Sequence, residues 1–336
     1  MSKVMAIVFH AHGAPAEVAR CEEIEILPPA ADEVRVRLLA APINPADLNV
    51  IEGTYPIRPA LPGVPGVEGV GVVEAAGAAV GNVRVGDRVL LPHGYGTWRE
   101  AGVVKADGLN VVPPGIATEQ AAMVKINPAT ALRMLRDFAE LKTGDWVLQN
   151  VANSAVGRAV MQIARVSGWR TVNVVRRAEL IDELKSGGAD VVLVDGDDLP
   201  AQISAATGGG PIHLALNAVG GDSAVRLAKA LAPGGTIVTY GAMSRQPLRI
   251  PNGLLIFKDL RWRGFWVSQW YRGASREAGA AMFAELFDLV QRGVIHARIE
   301  RIYPLAAATA ALAHAAQNGR AGKILFGGEA WLSTRQ

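Results

Sequence analysis

Two adjacent arginines at the end of a strand–turn–helix–strand stretch are the residues of this sequence best suited to binding a charged ligand. The stretch runs from Asp145 to Arg177, and Arg176 and Arg177 close it. A site for NAD has an acidic residue at this point, which binds the ribose hydroxyls. A carboxylate would repel a 2′-phosphate, whereas a guanidinium binds it through paired, charge-assisted hydrogen bonds. The arginines therefore favour NADPH, although such a pair is also found on solvated strand ends.

The elements before these arginines predict a phosphate-binding βαβ unit. Residues 146–149 form a short apolar run, 156–166 have apolar residues at helical spacing, and 171–175 are continuous and β-branched, as in a buried parallel strand. The turn at 150–157 consists of small residues, which let the backbone approach a pyrophosphate at a helix N-terminus. It contains only Gly157, where the dinucleotide fingerprint has two or three glycines. The turn is thus a weak signal that the arginines strengthen.

Composition limits the classes of function. The chain has 336 residues, enough for two domains, and its net charge of +3 without a Lys/Arg run gives no indication of nucleic-acid binding. Cys21 is the only cysteine, so a disulfide within the chain and a cysteine-rich zinc site are excluded.

Targeting signals are not recognisable in the sequence. No apolar run reaches membrane-spanning length, and the opening residues MSKVMAIVFHAHG resemble neither a signal peptide nor a transit peptide. We therefore expect a cytoplasmic protein without a membrane segment.

The first third of the sequence predicts a small β-rich domain, a partly open barrel. Strands are expected at 3–9, 33–39 and 64–77, and a strand–turn–strand at 82–91. The proline- and glycine-rich segment 41–63 is too irregular for a core element, and we expect a loop that lines an active site.

The middle of the sequence predicts a doubly wound parallel sheet. A helical region at 119–141, interrupted near Pro128, leads into strands and helices that alternate with short connections. Near the C-terminus, residues 297–305 are expected to form a strand that returns to the first domain. We expect a catalytic domain of residues 1–122 and 263–336 and a dinucleotide-binding domain of residues 123–262.

This order of domains resembles the medium-chain dehydrogenase/reductases. Within that superfamily, several blocks resemble the zinc-free 2-enoyl thioester reductases of the mitochondrial fatty-acid-synthesis type. These blocks are residues 44–55, 96–100, 149–164, 171–176, 214–221, 239–247 and 254–270. The resemblance implies a GroES-like barrel beside a Rossmann domain, and a homodimer that reduces trans-2-enoyl-CoA or enoyl-acyl-carrier-protein with NADPH and without a metal.

By this resemblance, Tyr55 matches the catalytic tyrosine of the family. Hydride addition to an enoyl thioester creates an enolate, and a phenol can donate a hydrogen bond and then a proton to it. An aromatic side chain that only packs the loop is the other interpretation. Pro56 departs from the glycine common in the family. Trp266 is expected to pack the nicotinamide or orient the acyl group, and Asn44 to hold Tyr55 or the thioester.

The other residues that match the family are its cofactor contacts, and at two of these positions the sequence departs from the family pattern. Ala155 replaces a glycine of the turn, and Arg177 is shifted by one position from the second arginine of the family. The expected contacts are Asn127, Asn153, Ser154, Ala155, Val156, Arg176, Arg177, Tyr240, Gly241, Ala242, Met243, Phe265, Trp266, Val267, Ser268 and Lys323.

The zinc-ligand positions of related alcohol dehydrogenases match Asn44 and Val67 in this sequence. Neither a carboxamide nor an isopropyl group is a usual zinc ligand, so no metal is expected.

Two other functions stay open at this point. One is a zinc-free quinone or enone reductase of the same superfamily, and the other is a non-catalytic protein that binds NADPH or RNA. The small net charge and the presence of Tyr55 weigh against the second.

Overall fold

The computed structural model describes residues 1–335 and separates the chain into two units. Unit 1 comprises Met1–Ile126 with Ala274–Gln336, and unit 2 comprises Asn127–Gly273. The domain boundaries expected from the sequence, after residues 122 and 262, therefore fall earlier than the unit boundaries. Residues 263–273 belong to unit 2, and the ring of Trp270 in this segment packs under the Arg133 guanidinium at 4.8 Å.

The helices and strands are given below in chain order, and two short 3₁₀ turns lie at Ala178–Leu180 and Leu305–Ala307. Unit 1 begins with β1 (Ser2–Phe9), α1 (Pro15–Val18), β2 (Ala19–Ile26), β3 (Glu33–Pro42), α2 (Pro45–Glu52), β4 (Val70–Ala76), β5 (Arg88–Leu90), β6 (Ala101–Lys105) and α3 (Thr118–Ala121). Unit 2 contains α4 (Asn127–Asp137), β7 (Trp146–Asn150), α5 (Ala155–Val166), β8 (Arg170–Val175), α6 (Ile181–Ser186), β9 (Val191–Val194), α7 (Leu199–Thr207), β10 (Ile212–Asn217), α8 (Gly221–Ala230), β11 (Thr236–Thr239), α9 (Asn252–Ile256), β12 (Arg261–Gly264) and α10 (Val267–Gly273). The chain returns to unit 1 with α11 (Arg276–Gln291), β13 (Ile299–Pro304), α12 (Ala308–Ala316), β14 (Lys323–Gly327) and α13 (Glu329–Ser333).

Unit 1 is built around strand β3, which pairs antiparallel with β14, β4 and β6. Val34 and Val36 on this strand are buried, while the alternate residues Arg35 and Arg37 reach Glu74 on β4. This alternation is the period of a strand with one face in a core. The predicted return of the C-terminal strand is confirmed, because β13 pairs parallel with β14 in the same sheet.

The segment 41–63 contains a helix, which the sequence analysis did not predict. Helix α2 occupies Pro45–Glu52 and ends at Gly53, which has φ 75°. A proline in the first turn is favourable because its missing N–H has no helical partner there, and a left-handed glycine is a common helix end. Similarly, only Arg88–Leu90 of the predicted strand–turn–strand at 82–91 is a strand.

Unit 2 contains the predicted parallel sheet, whose strand order is β12-β11-β10-β7-β8-β9. The chain starts in the middle at β7, extends to β9 on one side, and then crosses to β10 on the other. The strand order therefore reverses between β7 and β10, and the carboxyl ends of these two strands are where open α/β sheets bind ligands. The fold class expected from the sequence is confirmed: a parallel Rossmann-type sheet and a separate, mostly antiparallel sheet.

In residues 1–335, no helix combines the length and the apolar character that a membrane crossing requires.

Candidate active site

The backbone between β7 and α5 turns sharply, and Val151 has an unfavourable conformation there. Its φ is 49°, in the left-handed region that β-branched residues rarely adopt. Ser154 then caps α5, since its Oγ accepts a hydrogen bond from the Gly157 N–H at 3.1 Å. Other first-turn N–H groups of a helix lack intrahelical partners, so the turn offers donors to an anion.

The single glycine of this turn is a packing requirement. A β-carbon at position 157 would lie 2.5 Å from the carbonyl oxygen of Ala152 and 2.7 Å from its Cα. Only glycine lets α5 approach the turn this closely. Ala155, in contrast, is the first residue of α5, and the residues with positive φ do not include it. The replacement of glycine by Ala155 therefore strains no backbone angle.

A buried amide network joins the strand ends at the switch point. Asn150, the last residue of β7, donates from Nδ2 to Asn217 Oδ1 at 2.9 Å and accepts the Ala218 N–H at 2.8 Å. Asn217 ends β10, and its Nδ2 donates to Thr239 Oγ1 of β11 at 3.1 Å. Three neighbouring strands are thus fixed where a cofactor would lie. The sequence analysis missed Asn150 and Asn217, although each is the last residue of a largely apolar strand.

Arg176 and Arg177 are exposed directly after β8, with their side chains available to a ligand. The segment that follows is tied to the turn by Arg158 of α5. Its Nε donates to the Asn153 carbonyl at 3.2 Å, and its Nη2 donates to Glu183 of α6 at 2.7 Å. One guanidinium therefore links the turn assigned to the pyrophosphate to α6, the helix that follows Arg176 and Arg177.

The expected contacts after β11 lie in a turn beside β10. The Tyr240 N–H donates to the Asn217 carbonyl at 3.0 Å and the Met243 N–H to the Ala218 carbonyl at 2.9 Å, with Gly241 and Ala242 between them. Burial raises the pKa of the Tyr240 hydroxyl, so the phenol stays protonated. The Met243 side chain is exposed.

The segment after β12 presents two aromatic rings. The Phe265 ring meets Phe138 edge-on at 5.8 Å, and the Arg272 guanidinium lies 4.9 Å from the centre of the Trp266 ring. Phe265 and Trp266 are half-buried, whereas the neighbouring Val267 and Ser268 are buried. Asn127, the other expected contact in unit 2, is half-buried at the first position of α4.

Tyr55 lies just beyond α2 in unit 1 and is half-buried. Its backbone N–H donates to the Asn49 carbonyl at 3.1 Å, and the Thr54 N–H donates to the same oxygen at 2.9 Å. Both residues are thus folded back onto the helix. The position of the Tyr55 backbone is consequently set by the position of α2.

Asn44 lies in a buried network of charged groups at the start of α2. It is 2% exposed, its Oδ1 accepts from Lys323 Nζ at 2.5 Å, and its Nδ2 donates to Glu68 Oε1 at 2.8 Å. Asp47 accepts the N–H groups of Asn44 and Val67 at 2.8 and 2.9 Å. The amide of Asn44 is therefore engaged on both sides, and Lys323, an expected cofactor contact, reaches Asn44.

Burial shifts the pKa values throughout this network. It raises the pKa of Asp47 to about 7 and raises that of Glu68, whose Oε2 also accepts the Ile126 N–H at 2.9 Å. Burial also lowers the pKa of Lys323. It lowers the pKa of Lys125 to about 8, and the Lys125 Nζ donates to the Leu91 carbonyl at 2.6 Å. Two carboxyl groups and two amino groups thus share one buried region, and their charges balance when all four are ionised.

These groups do not fit a zinc ion. Asn44 has both side-chain polar atoms bonded to neighbours, Val67 has an apolar side chain, and the Lys323 ammonium lies beside Asn44. A cationic amine and a neutral amide oppose the binding of a divalent metal, which takes thiolate, imidazole or carboxylate ligands. Among residues 1–335, no group of three or more His, Cys, Asp and Glu side chains is arranged to hold a metal.

Two family models match the chain. The alcohol dehydrogenase GroES-like domain matches residues 30–120, and the zinc-binding dehydrogenase domain matches residues 155–288. The two matches cover a β-rich part of unit 1 and most of the parallel-sheet unit. Together with the fold, they define a medium-chain dehydrogenase/reductase.

Similar proteins narrow this class. The mitochondrial enoyl-[acyl-carrier-protein] reductase of Caenorhabditis elegans is 46% identical over 296 residues, which are 86% of this chain and 85% of that protein. The mouse (Mus musculus) enzyme of the same name is 43% identical over 298 residues, 87% of this chain and 80% of that protein. The chain therefore belongs to the enoyl thioester reductase family of the medium-chain dehydrogenase/reductases.

Solved structures agree with this assignment. The mitochondrial 2-enoyl thioester reductase Etr1p/Etr2p heterodimer from Candida tropicalis is 29% identical, with a TM-score of 0.89 over 97% of this chain and 100% of that one. The Etr1p complex with NADP and crotonyl-CoA has the same identity and coverage and a TM-score of 0.88. A Bacillus thuringiensis protein named for NADPH:quinone reductase activity is 31% identical, with a TM-score of 0.90 over 97% and 99% of the two chains.

The expectation of a cytoplasmic location is wrong. The relatives from mouse and C. elegans are named as mitochondrial enzymes, which points to mitochondria rather than the cytoplasm. The expectation failed because it rested on the lack of a recognisable targeting segment, and such a lack does not identify a compartment.

Proposed function

We propose that this protein reduces the 2,3 double bond of trans-2-enoyl thioesters, as CoA or acyl-carrier-protein conjugates, with NADPH. The observation that carries the proposal is Tyr55, a half-buried phenol held on α2 beside a network that does not fit a metal. The family relationship supports the choice of substrate, because relatives 43–46% identical are named for enoyl-acyl-carrier-protein reduction.

Unit 2 holds the cofactor in this proposal. The turn at 150–157 and the N-terminus of α5 bind the pyrophosphate through N–H groups, and Arg176 and Arg177 bind the 2′-phosphate. Residues 240–243 and 265–268 line the rest of the cofactor, with Trp266 beside the nicotinamide. Bound NADPH supplies the hydride that is added to C3 of the acyl group.

Tyr55 supplies the proton in this reaction. Hydride addition at C3 moves negative charge onto the thioester oxygen, and the Tyr55 hydroxyl stabilises this enolate by a hydrogen bond and then protonates C2, directly or through water. The product is the saturated thioester, and the phenol recovers its proton from solvent. Asn44 supports Tyr55 through the buried network and does not contact the thioester, since both ends of its amide are already bonded.

A substrate panel tests this function. NADPH oxidation is measured with crotonyl-CoA, a crotonyl carrier protein and a simple quinone, and the reverse reaction is measured with a simple alcohol. We expect turnover of the thioesters, and a rate ~10²–10⁴-fold lower in Tyr55→Phe with unchanged NADPH affinity. Efficient turnover of the quinone without any turnover of the thioesters would refute the proposal.

A quinone or enone reductase is the second candidate, and the similarity to the B. thuringiensis structure favours it. Its hydride chemistry is similar, but its acceptor lacks the thioester. The same panel separates the two candidates. Activity towards neither class would favour a binding protein without catalysis.

The cofactor preference has its own test. Arg176→Ala should raise the Kd of NADPH by about tenfold to a hundredfold and leave the Kd of NADH within about twofold, because only NADPH has the 2′-phosphate. Fluorescence quenching measures both constants. An equal loss for the two cofactors would assign Arg176 a structural role.

We further propose that two copies associate through β12. This strand forms one edge of the parallel sheet, and nearby Leu255, Ile256 and Phe257 are exposed, Phe257 by 85%. An unpaired edge beside an exposed apolar patch is suited to pairing with another strand, and a twofold axis closes such a pair into a dimer. The Etr1p/Etr2p heterodimer, a similar structure, supports an assembly of two chains.

A further inference from the structure

Asp47 connects the start of α2 to a distant part of unit 1. Its Oδ2 accepts the Asn44 N–H at 2.8 Å, immediately before the helix, and its Oδ1 accepts the Val67 N–H at 2.9 Å, just before β4. The carboxylate is buried, so both bonds are made away from water. This single side chain therefore fixes where α2 begins relative to the segment that leads into β4.

The other end of α2 carries Tyr55. The Asn49 carbonyl, two residues beyond Asp47, accepts the N–H groups of both Thr54 and Tyr55. A helix of eight residues is only ~12 Å long, so any tilt at its start moves the phenol. A displacement of ~1 Å at a reacting group can cost about a hundredfold in rate.

The surrounding charges keep Asp47 and Glu68 in place. Lys323 holds Asn44, which in turn holds Glu68, and Lys125 lies in the same region. The Lys323 ammonium supplies positive charge next to a residue that matches a zinc-ligand position in related alcohol dehydrogenases. Lys323 is the first residue of β14, and its ammonium group bonds to Asn44 and not to a carboxylate. The carboxylates of Asp47 and Glu68 therefore accept hydrogen bonds from backbone N–H groups.

We propose that Asp47 is a positioning residue for catalysis, which acts through α2 to hold the Tyr55 hydroxyl in place, with the Lys323–Asn44–Glu68 network as its support. The inference rests on the proposed function, because it takes Tyr55 as the proton donor. Asp47 itself contacts neither substrate nor cofactor in this role. Asn at position 47 would keep one acceptor but turn an NH₂ group towards a backbone N–H donor.

A double-mutant cycle tests the proposal. Single-turnover oxidation of NADPH by saturating crotonyl-CoA is measured for the wild type, Asp47→Asn, Tyr55→Phe and the double variant. We expect Asp47→Asn to slow the wild type by at least about tenfold and the Tyr55→Phe variant by less than about twofold, with an unchanged Kd for NADPH. An equal loss in both backgrounds, or no loss in the wild type, would overturn the positioning role.

Two further variants keep this test decisive. Asp87→Asn is the matched control, because Asp87 Oδ2 accepts the Arg84 N–H at 2.8 Å over the same three-residue spacing, and its rate should stay normal. If Asp47→Asn does not fold, Asp47→Glu retains the carboxylate and should be several-fold slower only when Tyr55 is present. The rate of Tyr55→Phe alone tests the proposed function separately: normal turnover there would remove Tyr55 from the mechanism, whatever Asp47 does.

Discussion

Val151 is a residue whose type and backbone conformation disagree. A β-branched side chain at φ 49° is strained, and the strain lies in the turn that we assign to the cofactor pyrophosphate. Strained residues of this kind persist where the surrounding structure fixes the backbone, here between β7 and the cap of α5. The turn is therefore shaped by its neighbours and not by the preference of its own residues.

Val151→Gly should stabilise the protein. Relief of the strain is worth ~1–3 kcal/mol, and the added flexibility of glycine in the unfolded chain costs ~0.5–1 kcal/mol, so we expect a net gain of about 1 kcal/mol. Chemical denaturation measures the free energy of unfolding. Val166→Gly, at the end of α5, is the control and should lose about 1 kcal/mol. A similar loss in Val151→Gly would show that position 151 is not strained.

Lys125 should make stability depend on pH in the alkaline range. Burial lowers its pKa from 10.5 to about 8, so between these pH values the unfolded chain binds more protons than the folded one, and stability rises with pH. The wild type should therefore gain roughly 2 kcal/mol relative to Lys125→Met from pH 8 to pH 10. Denaturation of both proteins across this range provides the comparison. Parallel pH profiles would mean that Lys125 keeps its ordinary pKa in the folded protein.

Among the elements, helix α5 has its position fixed by a close contact with the turn that precedes it. The helix lies so near Ala152 that position 157 has no room for a side chain, although the positions around it accept alanine, valine and serine. This close packing brings the first-turn N–H groups of α5 to the carboxyl end of β7. The number of glycines is therefore a poor guide to such a turn, since one glycine at the contact point is sufficient for the close packing.

Gly157→Ala should therefore weaken cofactor binding and the fold together. The added methyl group pushes α5 away from Ala152, and we expect a loss of about 1–3 kcal/mol in stability and a Kd for NADPH raised by about tenfold or more. Gly279→Ala in α11 is the control, because a β-carbon there meets nothing within 4 Å, and it should gain up to about 1 kcal/mol. Normal NADPH binding by Gly157→Ala would separate the helix packing from the cofactor site.

At the scale of the whole molecule, the exposed apolar residues around α9 form a surface that association with a second copy would remove from water. Ile256 is 69% exposed and Phe257 is 85% exposed, next to the edge strand β12. A second copy that covers them would remove this apolar surface from water and pair the edge.

Phe257→Glu should disrupt the proposed dimer and leave a monomer. A buried, unpaired carboxylate at a symmetric interface appears twice and repels its own copy. Sedimentation velocity over a range of concentrations measures the change. Leu27→Glu, at an apolar residue of unit 1 that is 64% exposed, should leave the dimer intact. A wild-type protein that sediments as a monomer at all concentrations would refute the association through β12.

Much of the fold is readable from the sequence because its signals are local. The apolar run of β7, the helical spacing of α5 and the β-branched β8 each depend on neighbouring residues, and the resemblance of the surrounding blocks indicated the family that the relatives confirm. Tyr55, Arg176 and Arg177 also stand out from their chain positions, and their roles stay predictions. The helix α2 escaped notice because the prolines and glycines around it are typical of loops.

The tertiary structure alone decided which polar residues meet. Lys323 and Asn44 are 279 positions apart, and Asn150 and Asn217 are 67 apart, yet each pair is hydrogen-bonded in a buried region. Periodicity and composition describe a residue's own element, whereas the burial and pairing of a lone polar side chain depend on the distant segments that fold against it. The sequence thus determined most of the elements of unit 2, the family and the candidate proton donor. The buried network that we propose holds Tyr55 in place exists only where five separate segments of the chain come together.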